Sequence, residues 1–323
     1  MTSSPLLLVV ADPSAPVMKT LPALPPELRV VISNQFEELK APAAEADIIL
    51  YANGDGDLLA KVLRNAQRAT WIHSLWTGVE GILKPELLAH PAPLTNGRGV
   101  FRWPLADWIV GAMLYFSFDF PRVVEQQRQH LWKPFVSKTL EGFTLGIVGY
   151  GEIGSAAAAR ARVFGMKIAA VRRRPELFGS DALVDRNYPP SQLKELVASS
   201  DYLLLCTPLT PETRGLIGEK ELAAMKPTSV LINVGRGPVV DEPALIRALQ
   251  SSAIRGAALD VFEKEPLPSD HPFWTMPQVL LSPHTADRVE GFLKPAWECF
   301  VENLNRFRDR KPLINVVDKQ AGY

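Results

Sequence analysis

The stretch Leu145-Gly146-Ile147-Val148-Gly149-Tyr150-Gly151-Glu152-Ile153-Gly154 decides the fold of this 323-residue chain. An apolar strand runs into three spaced glycines, and the alanine-rich segment Ser155–Phe164 that follows predicts a helix. We expect Gly149 to make the tight turn, Gly151 to leave space beside the backbone, and Gly154 to let the helix pack closely on the strand. Open amide groups and the helix dipole favour a phosphate at such a helix start.

We therefore interpret residues 149 to 154 as a binding site for the pyrophosphate of a dinucleotide. Glycine triplets also occur in ordinary turns, and methyltransferases use related turns for S-adenosylmethionine, so both alternatives stay open at this point. The setting between a strand and a helix, with a second strand following, favours the dinucleotide.

Similar apolar runs recur on both sides of this stretch. They are Leu6–Val10, Arg29–Ser33, Asp47–Tyr51, Thr70–Ser74, Thr144–Gly149, Lys167–Val171, Tyr202–Cys206, Val230–Val234, Gly256–Val261 and Val279–Ser282. Because nearly every position is apolar, these runs predict strands buried on both faces, as in parallel sheets covered by helices. Strand–helix alternation favours an α/β fold of two doubly wound parallel-sheet domains, Rossmann-like and flavodoxin-like, with a cleft between them.

The domain organisation follows from two helical segments. Leu105–Gln129 has helical periodicity with a break expected at Pro121, and Val289–Arg308 is helical again. We predict a dinucleotide-binding domain, residues 109–287, inserted into a discontinuous substrate domain of residues 1–108 and 288–323.

Composition excludes several classes of protein. Lys+Arg and Asp+Glu are both 35, which argues against nucleic-acid and membrane partners. No run approaches the roughly 18 apolar residues of a membrane span. Two cysteines, Cys206 and Cys299, imply no disulfide framework and fit a reducing, cytoplasmic location. Without an HExxH, CxxC or His/Cys cluster, no metal site is predicted.

The cofactor is indicated by the end of the second strand of the glycine-turn unit. Lys167–Val171 is followed by Arg172, Arg173 and Arg174, where an NAD site normally places an acid for the ribose hydroxyl. Guanidinium groups suit a 2′-phosphate, so we predict NADP (NADPH) as the preferred cofactor and NAD at lower efficiency. The alternative is a solvated basic loop.

Three polar side chains follow the ends of later strands: Arg236, Glu265 and His284. Ligands of open α/β sheets bind at those ends, so we expect the three to converge. Arg236 can grip the carboxylate of a 2-keto acid, His284 can exchange a proton with its carbonyl, and Glu265 can orient the imidazole and raise its pKa. His73, His90, His130 and His271 lack this context, and we interpret them as structural or solvent-facing.

The sequence resembles the D-isomer-specific 2-hydroxyacid dehydrogenase family, of the NADP-type glyoxylate/hydroxypyruvate reductase kind. The resemblance rests on residues 149–154, 206–215, 233–237, 260–266 and 283–284. It implies Arg236, Glu265 and His284 as catalytic residues and a usual homodimer. The cofactor-binding residues predicted from this resemblance, from the glycine turn and from the arginines after the second strand are Gly149, Tyr150, Gly151, Glu152, Ile153, Gly154, Arg172, Arg173, Arg174, Cys206, Thr207, Pro208, Thr213, Val234, Gly235, Arg236, Asp260, His284 and Ala286.

The same resemblance implies that Leu75, Trp76, Thr77 and Gly78 bind the substrate together with Arg236 and His284. Leu75 and Trp76 make this loop bulkier than in many relatives, so glyoxylate, hydroxypyruvate or a larger 2-keto acid are all possible substrates. The expected reaction is reduction to the D-2-hydroxy acid. A binding protein that senses the dinucleotide, similar to transcriptional co-repressors, is the alternative; a methyltransferase would leave Arg236, Glu265 and His284 unexplained.

Overall fold

The computed structural model describes residues 4–174, 176 and 181–323. The chain divides into two compact units, which we call the first unit (Met1–Phe101 with Glu290–Tyr323) and the second unit (Arg102–Val289). Each unit is built on one parallel β-sheet with helices.

The first unit contains a five-stranded sheet of order β2-β1-β3-β4-β5, in which every neighbouring pair is parallel. This is the strand order of flavodoxin-like folds. Its strands are β1 (Leu6–Val10), β2 (Arg29–Ser33), β3 (Ile48–Tyr51), β4 (Trp71–Ser74) and β5 (Leu94–Asn96), and its helices are α1 (Phe36–Glu45), α2 (Gly56–Asn65), α3 (Pro85–Ala89) and α10 (Leu293–Arg308).

The second unit contains a seven-stranded parallel sheet of order β12-β11-β10-β9-β6-β7-β8. The order reverses between β6 and β9, which is the topological switch point where such sheets bind ligands. Its strands are β6 (Thr144–Val148), β7 (Lys167–Val171), β8 (Arg186–Tyr188), β9 (Tyr202–Leu205), β10 (Val230–Asn233), β11 (Gly256–Leu259) and β12 (Val279–Leu281). Its helices are α4 (Arg102–Ser117), α5 (Phe120–Arg128), α6 (Glu152–Val163), α7 (Leu193–Ser199), α8 (Glu219–Ala224) and α9 (Glu242–Gln250).

The two parallel sheets confirm the predicted α/β class, and each of the ten apolar runs forms a strand. Two strands were not predicted, β5 and β8, because both have only three residues and carry polar side chains. The helical segment does break near Pro121: α4 ends at Ser117, and α5 begins at Phe120 with Pro121 in its first turn.

The unit boundaries lie at 101/102 and 289/290, whereas the sequence placed them at 108/109 and 287/288. The first difference arises because α4 is one continuous helix from Arg102 onwards and packs along α6. Because α4 packs along α6 over its length, all of its residues belong to the second unit.

The core of the first unit joins segments that are distant in the sequence. Trp71 on β4 is fully buried and stacks on Phe300 and Phe307 of α10, with ring centroids 5.6 Å and 5.5 Å away. Its indole N–H donates a hydrogen bond of 2.8 Å to the Thr95 hydroxyl on β5, so the one polar atom of the ring is satisfied.

Over residues 4–174, 176 and 181–323, no helix is both long enough and apolar enough to cross a membrane.

Candidate active site

The glycine turn at the end of β6 requires glycine sterically at two of its three positions, Gly149 and Gly154. Gly149 has a φ of +98°, and a Cβ atom there would lie 2.8 Å from Cγ2 of Thr207. A Cβ on Gly154 would lie 2.7 Å from the Gly149 carbonyl oxygen and 3.0 Å from Cγ2 of Ile147, so this glycine lets α6 pack closely on β6. At Gly151 a Cβ would meet nothing within 4 Å, which leaves open space beside the turn.

The start of α6 is suited to an anion. Gly151 is the N-cap and has no side chain to accept hydrogen bonds from the first amides of the helix. The Thr207 hydroxyl oxygen, beside the turn, is buried and has no hydrogen-bond partner among the residues that the structure describes. Open space, first-turn amides and a buried hydroxyl together fit a dinucleotide, which residues 149–154 and Thr207 would hold.

Cys206 contacts the glycine turn through its thiol. Its thiol donates a hydrogen bond of 3.0 Å to the Gly149 carbonyl oxygen, and burial raises its pKa to about 12. The side chain therefore stays a neutral thiol at physiological pH and has a structural role at the turn.

Glu152, the first residue of α6, forms an ion pair of 2.7 Å with Arg102, the first residue of α4. The Arg102 guanidinium also lies 5.6 Å from the centre of the Trp103 ring. The pair neutralises a carboxylate beside the expected phosphate position. Sequence reasoning missed Arg102, since fifty positions separate it from its partner and no motif joins them.

The three arginines after β7 differ in burial. Arg172 is half-buried, whereas Arg173 and Arg174 are exposed. Acidic residues that the sequence analysis did not single out lie near them. Burial, and then a hydrogen bond of 2.8 Å to Asp181, raises the pKa of Tyr150, and the nearby charge of Arg172 opposes this shift. A hydrogen bond with Thr210 and, more weakly, the charge of Arg173 lower the pKa of Glu212.

Arg236 follows β10 in a loop that packs on its neighbours at two glycines. A Cβ on Gly235 would lie 2.9 Å from the Thr207 carbonyl oxygen, and one on Gly237 would lie 1.9 Å from the Phe262 carbonyl carbon. Asn233 fixes the loop from inside: its amide nitrogen donates to the Arg236 carbonyl at 3.1 Å, and its amide oxygen accepts from the Gly235 N–H at 3.0 Å. The loop after β10 therefore contacts the loops after both β9 and β11.

Asp260 ties the end of β11 to the end of β12. Its side chain is 2% exposed, and its Oδ1 accepts from the Ser282 hydroxyl at 2.6 Å and from the Thr285 and Ala286 N–H groups at 2.8 and 3.1 Å. Burial raises the pKa of Asp260, and these hydrogen bonds oppose the rise. His284, inside this turn, has a φ of +54° and donates its N–H to the Asp260 carbonyl oxygen at 2.9 Å.

His284 and Glu265 form a hydrogen-bonded pair, with 2.7 Å between Nδ1 and Oε2. The bond to Glu265 raises the pKa of His284, while burial opposes the rise. Burial also opposes ionisation of Glu265, but hydrogen bonds from His284 and the Phe262 N–H outweigh it and lower the pKa of Glu265. The charge of Arg236 lowers the pKa of both groups, and the loop of Arg236 contacts the Phe262 backbone at Gly237. The second unit therefore places the three residues near one another, and their catalytic roles stay a prediction.

The predicted substrate loop belongs to the first unit, directly after β4. Leu75 is buried and the other three residues are half-buried. The Thr77 hydroxyl donates to the Gly97 carbonyl oxygen at 2.8 Å, and Asn96 donates its side-chain amide to the Thr77 carbonyl oxygen at 2.7 Å. The loop is thus fixed within its own unit, and its contact with substrate stays a prediction.

Residues 110–286 match the NAD binding domain of the D-isomer specific 2-hydroxyacid dehydrogenases, which is more than half of the chain. The chain belongs to this family. It is 38% identical over 236 residues to a glyoxylate reductase of Thermococcus gammatolerans, covering 72% of this chain and 69% of that one.

Two further relatives cover nearly all of this 2-hydroxyacid dehydrogenase. It is 36% identical over 293 residues to a glyoxylate/hydroxypyruvate reductase B of Pectobacterium carotovorum, covering 88% of this chain and 90% of that one. A D-isomer specific 2-hydroxyacid dehydrogenase from Xanthobacter autotrophicus, solved with NADPH and MES, matches with a TM-score of 0.85 and 29% identity over 100% of both chains. The resemblance noted in the sequence is thereby confirmed, and the protein is an oxidoreductase with a nicotinamide dinucleotide cofactor.

The pairing of His284 with Glu265 predicts a change in titration. In Glu265→Gln the imidazolium loses its charged acceptor, so the pKa of His284 should fall. NMR titration of the His284 ring measures this directly. Glu86→Gln removes the same charge from an exposed ion pair with Arg64 and is the matched control. An unchanged His284 titration in Glu265→Gln would show that the carboxylate does not set its charge.

Proposed function

We propose that this dehydrogenase reduces a 2-keto acid to the D-2-hydroxy acid with NADPH as its preferred cofactor. The observation that carries the proposal is the His284–Glu265 hydrogen bond with Arg236 beside it, at the strand ends of a nucleotide-binding domain. The glyoxylate and glyoxylate/hydroxypyruvate reductases among its relatives support a small 2-keto acid as substrate.

Each residue of the trio has one chemical task. The Arg236 guanidinium binds the substrate carboxylate through two parallel hydrogen bonds. Nδ1 of His284 is engaged by Glu265, so Nε2 remains to donate a proton to the carbonyl oxygen. The bound dinucleotide supplies the hydride for the carbonyl carbon. Glu265 stays ionised and stabilises the imidazolium before the transfer, which keeps His284 charged at higher pH than a free histidine.

The role of His284 is tested with the full-length protein and a panel of 2-keto acids from glyoxylate to aromatic members. His284→Ala should lower kcat by about 10²- to 10⁴-fold, because it removes the proton donor, with little change in the Kd for NADPH. His130→Asn is the control, since His130 is exposed and its positive φ tolerates asparagine.

The same experiment separates enzyme from binding protein. Turnover with a D product, identified by chiral chromatography, supports the reductase. Tight NADPH binding with no turnover on any member of the panel would favour the dinucleotide-sensing alternative, and equal turnover in His284→Ala would remove the proton-donor assignment.

Cofactor preference is assigned to the arginines after β7. We expect kcat/KM to be higher with NADPH than with NADH, and Arg172→Asp or Arg173→Asp to reduce that ratio by about tenfold or more, because a carboxylate repels the 2′-phosphate. Lys220→Asp, at an exposed position of α8, changes the net charge equally and should leave the ratio unaltered. Equal efficiency of the wild-type protein with both cofactors would contradict the assignment.

The proposed partners are a small 2-keto or 2-hydroxy acid and a second copy of the chain. We propose no nucleic-acid or membrane partner and a cytoplasmic location. A run of exposed apolar side chains supports the homodimer. These are Phe118, Phe120, Val123, Val124, Leu131, Trp132 and Val136, the last two 96% exposed. Such a cluster marks an interaction surface on a water-soluble domain.

The homodimer is tested by light scattering. Trp132→Asp combined with Val136→Asp should convert a dimer to a monomer, because two charges would be buried without partners. Val163→Asp, at a residue 82% exposed, is the matched control. A wild-type monomer at working concentrations, or a double variant that stays dimeric, would contradict this surface.

A further inference from the structure

A second histidine–carboxylate pair lies in the same unit, and the proposed mechanism does not use it. Nε2 of His271 is 3.0 Å from Oε1 of Glu242, and both side chains are only 14–15% exposed. Glu242 is the first residue of α9, directly after the N-cap Asp241. The catalytic pair is more open, with exposures of 47% for His284 and 35% for Glu265.

The hydrogen bonds of His271 determine where its ring proton lies. The Phe273 N–H donates to Nδ1 of His271 at 3.3 Å, so Nδ1 is an acceptor and carries no proton. The proton is therefore on Nε2, which donates it to Glu242. An imidazole that bridges a backbone amide and a carboxylate has a fixed orientation, with no ring nitrogen left for a substrate.

The other oxygen of Glu242 reaches the segment that carries the catalytic carboxylate. Oε2 of Glu242 accepts from the Glu263 N–H at 3.2 Å. The preceding amide, of Phe262, donates to Oε1 of Glu265 at 3.0 Å. Two consecutive amides are thus each bound by a carboxylate, one from the catalytic pair and one from the second pair.

The turn needs such support because it is exposed. Residues 263–265 are all exposed, whereas Phe262, the first residue of the turn, is buried. The Phe262 ring lies 6.3 Å from the Phe273 ring, and the His271 ring lies 4.7 Å from Phe273. Without these contacts the exposed turn would be free to adopt other conformations, in which the Glu265 carboxylate would no longer be held against His284.

We propose that Glu242 and His271 are positioning residues which hold the 262–265 turn and so place the Glu265 carboxylate against His284. The inference rests on the proposed function for its effect on turnover, but its geometric content concerns only the His284–Glu265 pair. The charged groups that face His284 are Glu265, Arg236 from the β10 loop, Asp260 from the end of β11, and Asp287 from its own turn. Among these, Glu265 alone is on the turn that Glu242 binds.

The test compares His271→Leu, which removes both ring nitrogens, with His271→Gln, which retains a donor at the position of Nε2. In His271→Leu we expect kcat to fall about tenfold with the Kd for NADPH unchanged, and the basic limb of the pH profile to move to lower pH. His271→Gln should restore most of the wild-type kcat and should return the basic limb of the pH profile close to its wild-type position. Loss of thermal stability with a wild-type pH limb would overturn the proposal, because it would show a merely structural role.

A double-mutant comparison isolates the route through Glu265. Because the effect passes through that carboxylate, His271→Leu should add less than about twofold to the kcat loss in a Glu265→Gln background. Fully additive losses would overturn the proposal. If His271→Leu fails to bind NADPH, Glu242→Gln takes its place, since it keeps the shape of the side chain.

NMR titration of the His284 ring separates this inference from the proposed function, because it requires no turnover. A lower His284 pKa in His271→Leu, restored in His271→Gln, supports the positioning role even if no 2-keto acid is reduced. An unchanged titration in His271→Leu, in a protein that still turns over, would overturn the positioning role and leave the reductase intact.

Discussion

The buried carboxylate of Asp260 is the interaction on which the site depends. One of its oxygens accepts hydrogen bonds from a hydroxyl and two amides of the turn after β12. One side chain therefore connects the ends of the neighbouring strands β11 and β12. Holding a non-glycine residue such as His284 at a φ of +54° costs about 1–3 kcal/mol, and persists only when the surroundings over-determine it. The three donors meet that condition and also offset the desolvation of the carboxylate.

Close backbone approach is the second condition for the site. Parallel strands end at the same edge of a sheet, but the loops that follow would diverge if side chains stood between them. Gly235 and Gly237 remove those side chains at the two contacts, with the Thr207 and Phe262 backbones. Arg236, between the two glycines, is therefore presented next to the loop of Glu265. The position of Arg236 beside the loop of Glu265 therefore depends on close backbone packing, and the interaction of their charges follows from that position.

The features predictable from the sequence are those that are local or repeated. Runs such as Tyr202–Leu205 are apolar at every position because both faces of the sheet are covered, and a side chain would clash at Gly149 and Gly154 of the glycine turn. Arg236, Glu265 and His284 could be found because each follows a strand end. The residues that support this trio could not be found in the same way, because Glu242 and His271 are 29 positions apart and no motif joins them. His271 was interpreted as structural or solvent-facing, and the structure shows it hydrogen-bonded to a carboxylate. Arg102 was missed for the same reason.

The arrangement of the chain also has a consequence for the order in which the protein is completed during synthesis. The second unit is one continuous segment, so all of its strands are available once Val289 has left the ribosome. The first unit begins earlier but cannot be finished then, because Trp71 lacks Phe300 and Phe307 until α10 emerges. The unit whose translation begins first is therefore completed last, because its core receives the last two aromatic partners of Trp71 only when α10 has been made.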